Sequence, residues 1–153
     1  MAENMTPRPL FLYGTLRALP LLAWAITGDP KNVDHVRSLT HPSLLRGFFR
    51  TSIAGKDFPA LIRRRSYLID GLLLRPQTDL QRRKIHEFMG RSYKVVRGSA
   101  FIEMEGVKVK VDADVYLWMG EPELLYLPWD LEVFEREKLE GWLEIYSKMR
   151  LIW

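Results

Sequence analysis

The sequence predicts an α+β domain with mostly antiparallel strand pairing, its sheet curling toward a barrel. Three observations predict this. Apolar residues recur at helical spacing in some segments and alternate with polar ones in others, and the two kinds are mixed along the chain. Gly47 and Gly71 interrupt strand-like segments, which marks bulges or close backbone approaches. Two long strand patterns flank Glu105-Gly106, a hairpin signal.

Residues 1–8 read as a flexible tail, and residues 9–153 as a single domain. Leu10 to Tyr13 is a short apolar strand, expected to be buried on both faces. Leu19 to Thr27 reads as a helix stopped by Gly28-Asp29-Pro30. Lys31 to Pro42 is polar and carries no clear signal. Ser43 to Thr51 reads as a bent or bulged strand around Gly47. Gly55-Lys56-Asp57 is a turn before Phe58-Pro59-Ala60-Leu61-Ile62, and Tyr67 to Arg75 is another strand. Thr78 or Asp79 can cap a helix that runs to about Phe88 and ends at Gly90, with Leu80, Lys84 or Ile85, and Phe88 facing inward. Tyr93 to Glu103 and Val107 to Trp118 form the hairpin strands. In the second, Val107, Val109, Val111, Ala113 and Val115 alternate with charged residues, giving one buried and one wet face. Asp130 can cap a last helix, about Leu131 to Met149. Leu131, Phe134, Leu139, Trp142, Leu143 and Ile145 make its apolar side.

Composition narrows the chemistry. The chain has 153 residues, 47% of them hydrophobic, enough for a sizeable core. Its net charge of +4 is mild and names no polyanionic partner. The chain has no cysteine, so disulfides, thiolate catalysis and cysteine-bound metals are excluded. His35, His41 and His86 lack zinc-type spacing, and neither a metal nor a cofactor is expected. Phosphate-loop, dinucleotide and Gly-x-Ser-x-Gly motifs are missing. The basic runs Arg63-Arg64-Arg65 and Arg82-Arg83-Lys84 read as solvated faces rather than a nucleic-acid surface. Met1 to Pro9 has no signal-like apolar run, and no stretch approaches the roughly 20 apolar residues of a membrane span. A cytoplasmic protein without nucleic-acid or membrane partners is the expectation.

Phe11-Leu12-Tyr13-Gly14-Thr15-Leu16-Arg17 is the most informative run. A strand that stops at glycine and leads into a helix start leaves backbone N–H groups unpaired, and those can hold a carboxylate. The run is the first of several ordered blocks. The others are Leu45-Arg46-Gly47-Phe48, Phe58-Pro59-Ala60-Leu61, Asp70-Gly71-Leu72-Leu73-Leu74, Ile85 through Gly90 with Tyr93, and Ala113 through Trp118, with Pro128 through Phe134 near the end. Together these blocks resemble the gamma-glutamylcyclotransferase-like, or AIG2-like, family over nearly the whole chain.

The resemblance implies a small mixed, mostly antiparallel β-barrel with flanking helices and one pocket. It implies that Tyr13, Gly14, Thr15 and Leu16 bind substrate, and that Tyr93 contacts it. In active members a glutamate in a Phe-Glu-Gly run takes a proton from the substrate amine, which then attacks the γ-carbonyl and gives 5-oxoproline. Here that run reads Phe88-Met89-Gly90. A thioether has no proton to give and is a very weak acceptor. General acid–base help is worth roughly 10²–10⁴-fold, so its loss alone would slow the family reaction.

Met89 is accordingly expected to face the pocket. Glu87, His86 and Asp57 are the candidate replacement acids, with Glu103 a further carboxylate. Glu87 lies two residues from Met89, which on a helix directs it to another side. The sequence leaves three functions open. The first is an enzyme on a small, carboxylate-bearing molecule with altered catalytic groups, a repurposed cyclase, isomerase or lyase of specialised metabolism. Alternatively the protein is an ordinary cyclotransferase working through a substitute acid, or a non-catalytic small-molecule-binding or regulatory protein. Oligomeric state is not legible.

Overall fold

The computed structural model describes residues 7–120, 124 and 126–149. Most of the expected tail, residues 1–6, lies outside the described residues. Among the described residues the architecture is α+β, with one five-stranded, mostly antiparallel sheet and flanking helices.

Strand β1, Leu10–Leu12, is buried at every position, as its unbroken apolar run requires. A short 3₁₀ turn, Thr15–Arg17, leads into helix α1, Leu19–Thr27, which closes on Gly28 in the left-handed conformation. The stretch that carried no sequence signal holds helix α2, Val33–Arg37, and the first residues of strand β2, Thr40–Ser52. Strand β3 runs unbroken over Pro59–Leu74, joining segments that the sequence shows as two. Its middle was obscured because residues 64–67 bulge out opposite Gly47, where the β2–β3 register shifts. Gly47 sits at φ +89 in that irregularity, a value that favours glycine.

Helix α3, Asp79–Met89, is capped by the Thr78 side chain accepting from the Gln81 amide and ends on Gly90 at φ +80. Strands β4, Tyr93–Met104, and β5, Val107–Trp118, form the expected hairpin. Its turn residues Glu105 and Gly106 both have positive φ, 52 and 80, the type I′ pattern that matches strand twist. Burial on β5 begins only toward its second half. Val107 is 62% exposed, because the hairpin tip extends beyond the core, whereas Ala113 and Val115 are fully buried.

The sheet order is β1-β3-β2-β4-β5, and the circuit closes where β1 meets β5 in parallel at Leu10↔Asp114. Gly71 of β3 lies against the other side of β1. A Cβ there would stand 2.4 Å from the Leu12 carbonyl oxygen and 2.5 Å from Phe11 Cζ, so β1 can lie this close only against glycine.

The last helix is not continuous. It is two helices, α4, Leu131–Glu137, and α5, Leu139–Tyr146, broken at Lys138. The rings of Phe134 and Trp142 meet edge to face at 5.1 Å. Eight residues of straight helix would separate them by about 12 Å along the axis, so the contact requires the break. The break also turns Ile145 outward; it is 64% exposed rather than on the apolar side. No helix among the described residues is long and apolar enough to cross a membrane.

Candidate functional site

The loop after β1 organises the site. Gly14 lets the backbone pass Pro59, since an added Cβ would stand 3.0 Å from the Pro59 ring. The amides of Arg17 and Ala18 turn back to the carbonyls of Gly14 and Thr15, each at 3.0 Å. Among the described loop and turn hydrogen bonds, the amides of Tyr13, Gly14, Thr15 and Leu16 donate to no backbone carbonyl. These are the orphan donors that a strand-to-helix transition leaves.

Three side chains, those of Tyr13, Arg50 and Arg17, brace the loop. The buried Tyr13 hydroxyl donates to the Tyr116 carbonyl at 2.5 Å, and burial raises its pKa well above the usual tyrosine value. Arg50 donates to the Tyr13 carbonyl at 3.3 Å, to the Asp70 carbonyl at 2.8 Å and to the Asp70 carboxylate at 2.7 Å. Arg17 reaches the same carboxylate at 3.4 Å. Burial, and then the neighbouring Arg50 charge, lowers the Arg17 pKa.

Tyr13, Gly14, Thr15 and Leu16 border a cavity of about 30 Å³, room for a water molecule. Phe11 and Leu12 of β1 continue its wall, and Pro59, Met89 and Tyr116 complete it. Met89 reaches it from the last turn of α3. Beside it lies a larger hollow of about 160 Å³. Thr15 and Met89 border both, so the two spaces share a boundary. Phe58, Phe88 and Tyr93, with Trp142 and Tyr146 of α5, form the rest of the larger one. Tyr93 donates its hydroxyl to the Pro59 carbonyl at 3.2 Å.

The structure thus brings together Tyr13, Gly14, Thr15, Leu16 and Met89 on one cavity, with Tyr93 on the adjoining hollow. The candidate acids stand elsewhere. Glu87 and His86 are exposed on α3 and line neither space. The Asp57 carboxylate accepts the Trp142 indole N–H at 2.9 Å and faces the α4–α5 junction. Glu103 lies on an outer groove with His41, Ser43, Asp70 and Lys108.

His86 nonetheless touches the cavity wall through Tyr116. Its Nδ1 lies 2.8 Å from the Tyr116 hydroxyl, and that hydroxyl accepts from Arg82 at 2.7 Å. Arg82 continues to Asp114 at 3.3 Å, and Asp114 pairs with Arg8 at 3.0 Å. Burial raises the Tyr116 pKa, and the Arg82 hydrogen bond partly offsets it. No three metal-capable side chains cluster among the described residues.

Sequence reasoning did not place Tyr116, Trp142 or Tyr146 at the site. Trp142 reads as ordinary helix core, and Tyr116 sits in the Asp114-Val115-Tyr116 block with nothing to separate wall from packing. The signal available for α5 was the i,i+4 spacing of Trp142 and Tyr146, which puts both rings on one helix face.

No family model matches the chain. Its sequence relatives are AIG2-like proteins. It is 27% identical over 155 residues to AIG2-like protein D of Arabidopsis thaliana, covering 95% of this chain and 90% of that protein. It is 24% identical over 149 residues to AIG2-like protein C of the same plant, covering 97% and 81%. The fold is also that of solved relatives. A solution structure from Arabidopsis thaliana superposes with a TM-score of 0.61 at 21% identity, over 95% of this chain and 84% of that one. The crystal structure of an AIG2-like protein from Mus musculus superposes with a TM-score of 0.54 at 20% identity, over 90% and 94%. Together these comparisons make the chain similar to AIG2-like proteins over nearly its whole length, in sequence and in fold.

Proposed function

We propose that this AIG2-like chain is an enzyme that binds a small carboxylate-bearing molecule at the Tyr13–Leu16 loop and acts on it without the family's carboxylic acid. The observation that carries this reading is the shared cavity of that loop and Met89. On the resemblance of the Phe88-Met89-Gly90 run to the family's Phe-Glu-Gly run, residue 89 takes the position of the acid. The amides of Gly14, Thr15 and Leu16 supply donors for an anion, and the braced Tyr13 fixes their position. The Met89 thioether cannot take the amine proton that glutamyl cyclisation must lose. A cyclisation, isomerisation or elimination with a different proton route suits such a pocket.

The test is incubation of the purified protein with a gamma-glutamyl amine, with 5-oxoproline followed by mass spectrometry, beside metabolite profiling of a deletion strain. The expected result is little or no 5-oxoproline, with one small carboxylic acid accumulating in the deletion strain. Turnover comparable to an intact family member would overturn the reading. An unchanged metabolite profile would favour a non-catalytic binding protein.

One observation favours the second reading, ordinary cyclotransfer through a substitute group. His86 contacts Tyr116, and Tyr116 borders the cavity. Under that reading His86→Gln abolishes 5-oxoproline release.

A further inference from the structure

Phe58, Phe88, Tyr93, Trp142 and Tyr146 each keep part of their surface exposed, and all five border one hollow. Five large aromatic side chains gathered round one hollow give it an apolar wall of the kind that takes a ring-sized group. The rings hold one another in a continuous arc. Tyr93 meets Phe58 at 6.5 Å, Phe58 meets Trp142 at 6.4 Å, Trp142 meets Tyr146 at 5.6 Å, and Tyr146 meets Phe88 at 5.4 Å. The arc is therefore formed before any ligand arrives. Trp142 is further fixed by its bond to Asp57.

We propose that this hollow is a subsite for one uncharged, ring-sized apolar group of the ligand, aromatic or alicyclic. Resting on the reading that the Gly14–Leu16 amides take the carboxylate, it makes the substrate class a small carboxylic acid that bears such a ring.

Size, charge and continuity carry the assignment. The volume is about 160 Å³. An apolar cavity of roughly 150 Å³ in another protein takes benzene, so one six-membered ring fits. No Asp, Glu, Lys or Arg borders the hollow among the described residues. A cation would leave water with only ring faces as partners, whereas an uncharged ring loses no charge solvation. The Asp57 carboxylate is already engaged by Trp142 and Lys138 and gives no free counter-charge. Thr15 and Met89 border both spaces, so one molecule can place its anionic end at the loop and its ring in the arc. Met89 would form the floor beneath the ring, where a thioether packs favourably against an aromatic edge and a carboxylate would not.

The test is titration of the full chain, labelled at methionine methyls and backbone amides, with four probes: acetate, 3-phenylpropionate, benzyl alcohol and benzylammonium. The expected result is 3-phenylpropionate binding about tenfold to a hundredfold tighter than acetate, with ring protons close to the Met89 methyl. Benzyl alcohol contacts the same methyl, and benzylammonium binds no tighter than benzyl alcohol. Tyr146→Ala, on the outer helix, reduces the phenylpropionate advantage and leaves acetate binding unchanged.

Equal binding of acetate and 3-phenylpropionate, or no ring contact at Met89 in the wild-type protein, overturns the subsite. So does tighter binding of benzylammonium, which would make the arc a cation cage. Failure of the parent reading looks different. Ring contacts at Met89 with the Gly14–Leu16 amides unmoved would keep the subsite and remove the anion loop. Amides moved alike by both acids, with no ring contact, would do the reverse.

Discussion

The indole Nε1 of Trp142 lies 2.9 Å from Asp57 Oδ2, joining the final helix to the turn that leads into β3. The Asp57 carbonyl accepts a second indole, that of Trp129, at 2.8 Å. One residue therefore holds the chain on both sides of α4, its carboxylate engaged by the Trp142 indole and Lys138. Asp57→Ala should lower stability by about 1–2 kcal/mol, the cost of a half-buried donor left without its charged partner. Chemical denaturation checks this. Any small-molecule turnover measured on the folded variant should be retained, which separates this clamp from a catalytic acid.

Met89→Glu places a carboxylate between the loop cavity and the aromatic hollow. Apolar walls raise the pKa of such a group toward neutrality, the range in which it can shuttle a proton. A small gain of 5-oxoproline release is the expected outcome. Stability gives a second readout. A carboxyl whose folded pKa is raised binds its proton more tightly in the folded state. Melting of Met89→Glu relative to wild type should therefore fall as pH rises from about 4 through the raised value. A pH-independent difference would mean that residue 89 is solvated.

Asp70 gives the opposite sign. Its hydrogen bond from Arg50 holds the carboxyl below its ordinary value of 3.8, against a smaller opposing effect of burial. The stability it contributes is fully present above that value and is lost as pH falls through the lower, folded one. Asp70→Asn should thus melt lower than wild type at neutral pH, and the two curves should converge in strong acid. The effect will be modest, because the Asp70 side chain is 65% exposed.

The hairpin tip is a site for stabilisation. Glu105 adopts φ 52 without a side chain suited to it. Glu105→Asn should raise stability by about 0.5–1 kcal/mol, since Asn-Gly is the favoured type I′ pair. Gly106→Ala should lower it by about 1–2 kcal/mol through backbone strain alone, because its Cβ would meet nothing within 4 Å. Thermal melting of the two variants checks both signs.

Local patterns made much of the fold legible. Gly28 and Gly90 mark helix ends, and Glu105-Gly106 marks the hairpin, because each position needs a backbone conformation that few residues adopt. The Tyr13–Leu16 loop was legible for a different reason, as a strand broken by a glycine, which here lies close against the Pro59 ring. The break at Lys138 was not. Neither glycine nor proline announces it, and it follows from the meeting of Phe134 with Trp142, a tertiary demand invisible to helical periodicity. The aromatic wall was hidden with it, since a ring packed in a core and a ring facing a hollow have the same sequence signature. The buried Lys84 was partly legible. It reads both as part of a basic run and, with Ile85, as a candidate for the inward face of its helix; what the sequence does not show is its partner, the Ile26 carbonyl near the end of α1, which its ammonium bonds at 2.9 Å.

The junction of β1 with β5 bears on how anything enters the cavity. That edge is stitched by one register pair, Leu10↔Asp114, and by the Asp114 amide bonding the Pro9 carbonyl at 2.8 Å. The other edge of β1 has three pairs with β3. Local opening free energy follows the number of such bonds, so the single-pair edge is the weak side of the ring. Phe11 and Leu12, two walls of a space now large enough only for water, ride on that strand. Opening of this edge would widen the space that those two side chains wall, and faster hydrogen exchange at the Asp114 amide than in the β4–β5 ladder would be its signature.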